Sequence, residues 1–104
     1  MTDSANKNNS DIQADVTGSV LITHDVGLHA RPSVTLTKMA KRFESEISIS
    51  LSPEGPWVNA KSISKVMKMK APQNAVLYFN VAGADAAEAI KKLISLVEND
   101  FLIQ

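Results

Sequence analysis

His29 and Arg31 stand two residues apart in the stretch Gly27-Leu28-His29-Ala30-Arg31-Pro32, just ahead of an amphipathic run. Proline is tolerated in the first turn of a helix, where its missing N–H would have had no partner, so this spacing sets the imidazole over a helix start. A helix start gathers unpaired N–H groups and the positive end of the backbone dipole, which suits an anion. An imidazole held there can attack phosphorus. The phosphoryl oxygens would then rest on the N–H groups beyond Pro32, those of Ser33 and Val34. A phosphoryl group brings about two negative charges, and the planar fork of Arg31 matches its oxygens. Gly27 gives the chain the backbone freedom to aim His29 at the helix end. On residue type alone, His29 also reads as an ordinary surface histidine beside a turn.

The elements that must position these residues are legible as periodicities. Ser19 to Thr23 reads as a first strand. Pro32 to Phe43 carries Leu36, Met39, Ala40 and Phe43 on one helical face, with Thr35, Lys38, Lys41 and Arg42 on the other. Ile47, Ile49 and Leu51 then alternate with Ser48, Ser50 and Ser52, the pattern of a half-buried strand. Pro53 to Pro56 is a turn, and Trp57 to Ala60 begins a short return strand. Ser62 to Met69 fits a two-turn helix, with core the better reading for most of Ile63, Val66, Met67 and Met69. Ala75 to Ala82 is the most apolar strand. Ala84 to Val97 is the longest helix, striped by Ala86, Ala89, Ile90, Leu93 and Val97, and Phe101 and Leu102 are expected to dock its end. The order β-α-β-β-α-β-α, with one apolar face per element, predicts an α+β fold: a four-stranded, mainly antiparallel sheet with three helices on one face.

Composition narrows the function classes. The chain has 104 residues, room for one domain and one core. Its formal net charge of zero argues against a general nucleic-acid binder. Without cysteine there is neither a disulfide framework nor a thiolate metal site, and the two histidines lack metal-ligand spacing. No metal and no cofactor are expected. No apolar run approaches the roughly 20 residues of a membrane span. The N-terminal 17 residues are polar, without the apolar centre of a signal peptide, and read as a disordered tail ahead of a domain over 18–104. A cytoplasmic location is the expectation.

Gly27 to Ser33 resembles the active-site signature of HPr, the histidine-containing phosphocarrier of the bacterial phosphotransferase system. Lys38, Ala40, Lys41 and Phe43 are similar to the family's first helix, and Asn59-Ala60-Lys61-Ser62-Ile63 to the entry into its second. Val81-Ala82-Gly83 and the Ala-rich helix after it are similar to its end, so the likeness runs from Gly18 to Phe101. It implies an open-faced β-sandwich. It further implies that His29 takes a phosphoryl group through Nδ1 from phosphoenolpyruvate-charged enzyme I and passes it to an enzyme II A component, with Arg31 stabilising the transfer state. Such a protein is a carrier, not an enzyme, and a monomer is expected.

The remaining residues bear on partners. Ser62 reads as the N-cap of the short helix; the resemblance also makes it the position modified by HPr serine kinase in some bacterial groups. Lys38, Lys41, Ile63 and Lys65 are candidates for partner docking, although charges of this kind usually form a solvated face. His24 reads as a capping or surface residue. The chain departs from the family's habits at Ser64, where a bulky apolar residue is common, and at Val26, where a polar one is. Lys70 and Asn74 stand where glycines are usual. These departures leave a regulatory, nitrogen-type branch open beside sugar transport. A free-standing domain, not a piece of a fused phosphotransferase, is the expectation.

Overall fold

The structure, a computed structural model, describes residues 15–102. Seven elements follow one another: β1 (Asp15–Leu21), α1 (Ala30–Ala40), β2 (Glu46–Ser50), β3 (Val58–Asn59), α2 (Ile63–Lys68), β4 (Val76–Ala82) and α3 (Ala86–Glu98). The strands form one antiparallel sheet in the order β1-β4-β2-β3. This is the open-faced α+β architecture read from the sequence. Leu77, Phe79 and Val81 of the central strand β4 point to the helical side and are fully buried, while Tyr78 and Asn80 point away. Full burial of such side chains contributes about 1.5–3 kcal/mol each, so the alternation in β4 sets which face the helices cover. The α3 stripe of Ala86, Ala89, Ile90, Leu93 and Val97 is buried as its spacing predicts, and Leu96 joins it.

Several boundaries move. The first strand begins at Asp15, three residues ahead of the expected domain start, because Asp15, Val16 and Thr17 pair with Ala82, Val81 and Asn80. Backbone pairing is indifferent to side-chain polarity, and Val16 packs against the core from there. The rest of the expected tail, residues 1–14, lies outside the described residues. In β2 the alternation inverts at its end: Ser50 is fully buried and Leu51 is 39% exposed. The chain leaves the sheet after Ser50, whose hydroxyl accepts the Ser52 N–H at 3.1 Å as the loop turns back. Of the apolar residues of the short helix only Val66 is buried; Ile63 and Met67 are exposed, and Met69 packs at the margin of the core. Six residues make too few turns to bury more than one side of α2. Phe101 docks as expected, but Leu102 is 66% exposed.

Candidate functional site

His29 is the N-cap of α1, in an extended backbone conformation with φ −86° and ψ −165°. Its side chain makes no capping hydrogen bond and is exposed. The helix begins two residues earlier than the position of Pro32 suggests, and this changes which N–H groups are open. The Ser33 N–H already donates to the His29 carbonyl at 2.9 Å. Val34 lies one step further in, where an α-helical N–H points at the carbonyl four residues back. The expectation that Ser33 and Val34 hold an anion is therefore corrected: Ala30 and Arg31 carry the N–H groups without an intrahelical acceptor, Pro32 having none to offer. Pro32 sits in the first turn, where its lack of an N–H does no harm. No acidic residue lies in that turn to offset the dipole.

The loop that delivers His29 is held from three sides. Gly27 has φ +66°, a left-handed conformation, and a Cβ there would lie 2.2 Å from the Ala71 carbonyl oxygen. Only glycine fits that approach. Leu28 is buried and donates its N–H to the same Ala71 oxygen at 2.8 Å. The fully buried Ser33 hydroxyl donates to the Leu28 carbonyl at 3.2 Å. Ser33 thus takes part in the site by pinning the loop to the helix start. Lys70 and Asn74, on either side of this clamp, both adopt positive φ, +51° and +75°. Asparagine tolerates that conformation better than lysine does.

His29 and Arg31 face one cleft of about 330 Å³, whose far wall is made by Asp100, Phe101 and Leu102 beyond α3. His24 and Thr35 line it too. A second hollow, of about 450 Å³, lies on the other side of His29, against Val26, Met67, Lys70 and Pro72. His29 and Val26 line both hollows. Periodicity marks Asp100 and Leu102 only as the end of a helix, and nothing in sequence spacing brings them to His29. Lys38, Lys41, Ile63 and Lys65 are all exposed but line neither hollow. Lys65 instead borders a groove against Ser50, Leu51 and Val58.

Ser62 is the N-cap of α2, and its hydroxyl accepts the Lys65 N–H at 3.5 Å. The Ser64 hydroxyl lies 3.4 Å from it, so the departure at Ser64 leaves a polar, exposed group beside Ser62. Lys61 donates from Nζ to the Phe43 carbonyl at 2.7 Å, tying the entry of α2 to the end of α1. Among the described residues no cluster of three potential metal ligands occurs, and no helix is long and apolar enough to cross a membrane.

A family model described as "PTS HPr component phosphorylation site" matches residues 16–99. The phosphocarrier protein HPr of Xylella fastidiosa strain 9a5c is 38% identical over 82 residues, which cover 79% of this chain and 90% of that protein. The multiphosphoryl transfer protein of Vibrio cholerae is 42% identical over 78 residues, 74% of this chain but 20% of its own length. The chain thus spans about a fifth of the multiphosphoryl transfer proteins it matches. Among solved structures, HPr from Thermoanaerobacter tengcongensis superposes with a TM-score of 0.77 at 34% identity, covering 86% of this chain and 98% of that one.

Proposed function

The chain belongs to the HPr family, the phosphocarriers of the phosphotransferase system, and from that premise we propose that His29 is its phosphoryl acceptor, charged by enzyme I at the expense of phosphoenolpyruvate and discharged to the A component of an enzyme II. The Nδ1 lone pair of His29 attacks phosphorus in line. The bond from phosphorus to the donor group on enzyme I breaks, and that group keeps the electron pair. On discharge the same step runs in reverse with the new acceptor. The observation that carries this reading is a coincidence in one place: an exposed imidazole at an N-cap, the open N–H groups of Ala30 and Arg31, and the Arg31 side chain in the same cleft. Donors fixed ahead of the reaction stabilise the charge that gathers on the equatorial oxygens without reorganising.

Incubation with enzyme I and labelled phosphoenolpyruvate tests the proposal. Acid-labile label on the wild type and none on His29→Ala is the expected result; acid-stable label, or label on the mutant, would overturn it. A second reading, a regulatory paralogue of the nitrogen-type branch, draws support from the polar Ser62–Ser64 pair and the exposed Val26 beside His29. Its discriminating measurement is a panel of enzyme II A components, sugar-specific and regulatory, tested as acceptors from the phosphorylated protein. In either branch Ser62 offers a site for HPr serine kinase. Added phosphate there would bring negative charge next to the exposed Ile63.

A further inference from the structure

Resting on the carrier reading of His29, we propose that His24 is a positioning residue for phosphoryl transfer, holding the loop that presents His29 from one side while Phe101 holds His24 from the other. His24 closes its own turn twice. Its carbonyl accepts the Gly27 N–H at 2.9 Å, and its Nδ1 accepts the Val26 N–H at 3.3 Å. In this contact Nδ1 acts as the acceptor, the role of the tautomer that carries its proton on Nε2, and the Asp25 carboxylate lies 3.6 Å from the same nitrogen. The residue after Val26 is Gly27, pressed against the Ala71 carbonyl, and Leu28 donates to that same oxygen. A change in the turn is therefore passed to His29 with little slack between them.

The other side of the His24 ring meets Phe101 edge-on, with centroids 5.8 Å apart and planes at 75°. Phe101 is buried, yet it has φ +65°, and Asp100 before it has φ +56°. Two successive non-glycine residues in left-handed conformations persist only where their surroundings over-determine them. Here Asp100 accepts from the Thr23 hydroxyl at 2.6 Å, and Phe101 donates its N–H to the Leu96 carbonyl at 2.8 Å. Thr23, next to His24 in the chain, is thereby bound to the residue next to Phe101. The end of α3 and the start of the motif loop form one clamp, and the His24 ring fills it. His24, Phe101, His29 and Arg31 line the same cleft.

The test is single-turnover phosphorylation by phosphorylated enzyme I, well below each protein's melting temperature and normalised to folded protein. His24→Ala is expected to slow transfer by about 10- to 100-fold, the cost of a misplaced reacting group. His24→Asn is expected to stay within about threefold of wild type, since an Asn side-chain oxygen accepts the same N–H two residues on. Phe101→Leu is expected to slow transfer about fivefold in the wild type but by less than about twofold in the His24→Asn background, where no ring remains to brace. That background dependence is a readout a general loss of stability would not give, and it holds the proposal open to refutation if His24→Ala does not fold. Wild-type rates in His24→Ala, a His24→Asn as slow as His24→Ala, or equal effects of Phe101→Leu in both backgrounds would each refute it while leaving the carrier reading intact. A wild type that takes up no label at all would sink the carrier reading, and this inference with it.

Discussion

Gly27→Ala puts one methyl group where the fold has no room for it. The added Cβ would lie 2.2 Å from the Ala71 carbonyl oxygen and 2.8 Å and 2.9 Å from Pro72 backbone atoms, so backbone must move. The left-handed conformation at φ +66° adds a cost of about 1–2 kcal/mol for any residue with a Cβ. Relieving the overlap costs about 1–3 kcal/mol more. Pushing the two segments apart also stretches the 2.8 Å bond from Leu28 to Ala71, worth about 1 kcal/mol. Against this, alanine restricts the unfolded chain and returns about 0.4–1 kcal/mol. The net destabilisation is about 2–6 kcal/mol, or a fall in Tm of about 10–30 °C for a domain of this size. Gly18→Ala is the matched control, because its Cβ would meet only the flexible ends of Ile94 and Ile90, at 3.0 Å and 3.1 Å. Its expected cost is below about 1 kcal/mol, since side-chain ends can give way. Urea and thermal unfolding of the three proteins measure the difference. If Gly27→Ala and Gly18→Ala unfold within about 1 kcal/mol of each other, the clamp at Ala71 does not hold the loop as argued.

Four further outcomes follow from the structure. Arg31→Ala should slow phosphorylation by about 10- to 100-fold in single-turnover assays while leaving Tm unchanged, because the side chain is exposed; a parallel loss of Tm would count against a role in transfer. Thr37 has a buried hydroxyl without a hydrogen-bond partner among the described residues, so Thr37→Val should raise stability by about 1 kcal/mol in urea unfolding. Lys70→Gly should stabilise by about 0.5–1 kcal/mol, relieving φ +51° at the cost of a looser unfolded chain; a destabilised variant would show that the lysine side chain makes a compensating contact. Asp85 accepts from the Ser45 hydroxyl and from the Glu44 and Ser45 N–H groups, which hold its pKa below the ordinary 3.8. A lowered folded-state pKa gives stability that is present above 3.8 and lost as pH falls through the lowered value. Melting curves below that pH should therefore drop more steeply for wild type than for Asp85→Asn, and superimposable acid limbs would show the Asp85 bonds to be inconsequential.

The order of elements was legible because each long element shows one period. Helix α3 and strand β4 come out with the buried faces their patterns predict, since a single apolar stripe has only one way to leave water. Pattern and structure part where the chain stops being periodic. Leu51 continues the alternation of β2 in sequence but lies beyond the strand, where the turn back from the sheet exposes it and buries Ser50. The short α2 has too few residues for its apolar spacing to say which side is covered, so Ile63 and Met67 come out exposed. Residues before 18 carry no apolar pattern, yet Asp15 to Thr17 extend β1 because a neighbouring strand is there to pair with them.

At the site, the sequence places an imidazole, a guanidinium and a helix start within seven residues; residue type alone leaves an ordinary surface histidine open, and it is the signature these residues form together that points to anion handling. Which backbone groups are open was decided only in three dimensions. The helix starts at Ala30 because Gly27 and Leu28 are held against Ala71, a residue over 40 positions away, and that start frees the N–H groups of Ala30 and Arg31 while occupying that of Ser33. The far wall of the cleft is likewise tertiary, since Asp100 accepts from the Thr23 hydroxyl and the Phe101 ring meets His24 edge-on, contacts between opposite ends of the domain. Sequence spacing specifies what is near along the chain; contacts across the fold, which depend on how the helices pack on the sheet, specify where those groups meet.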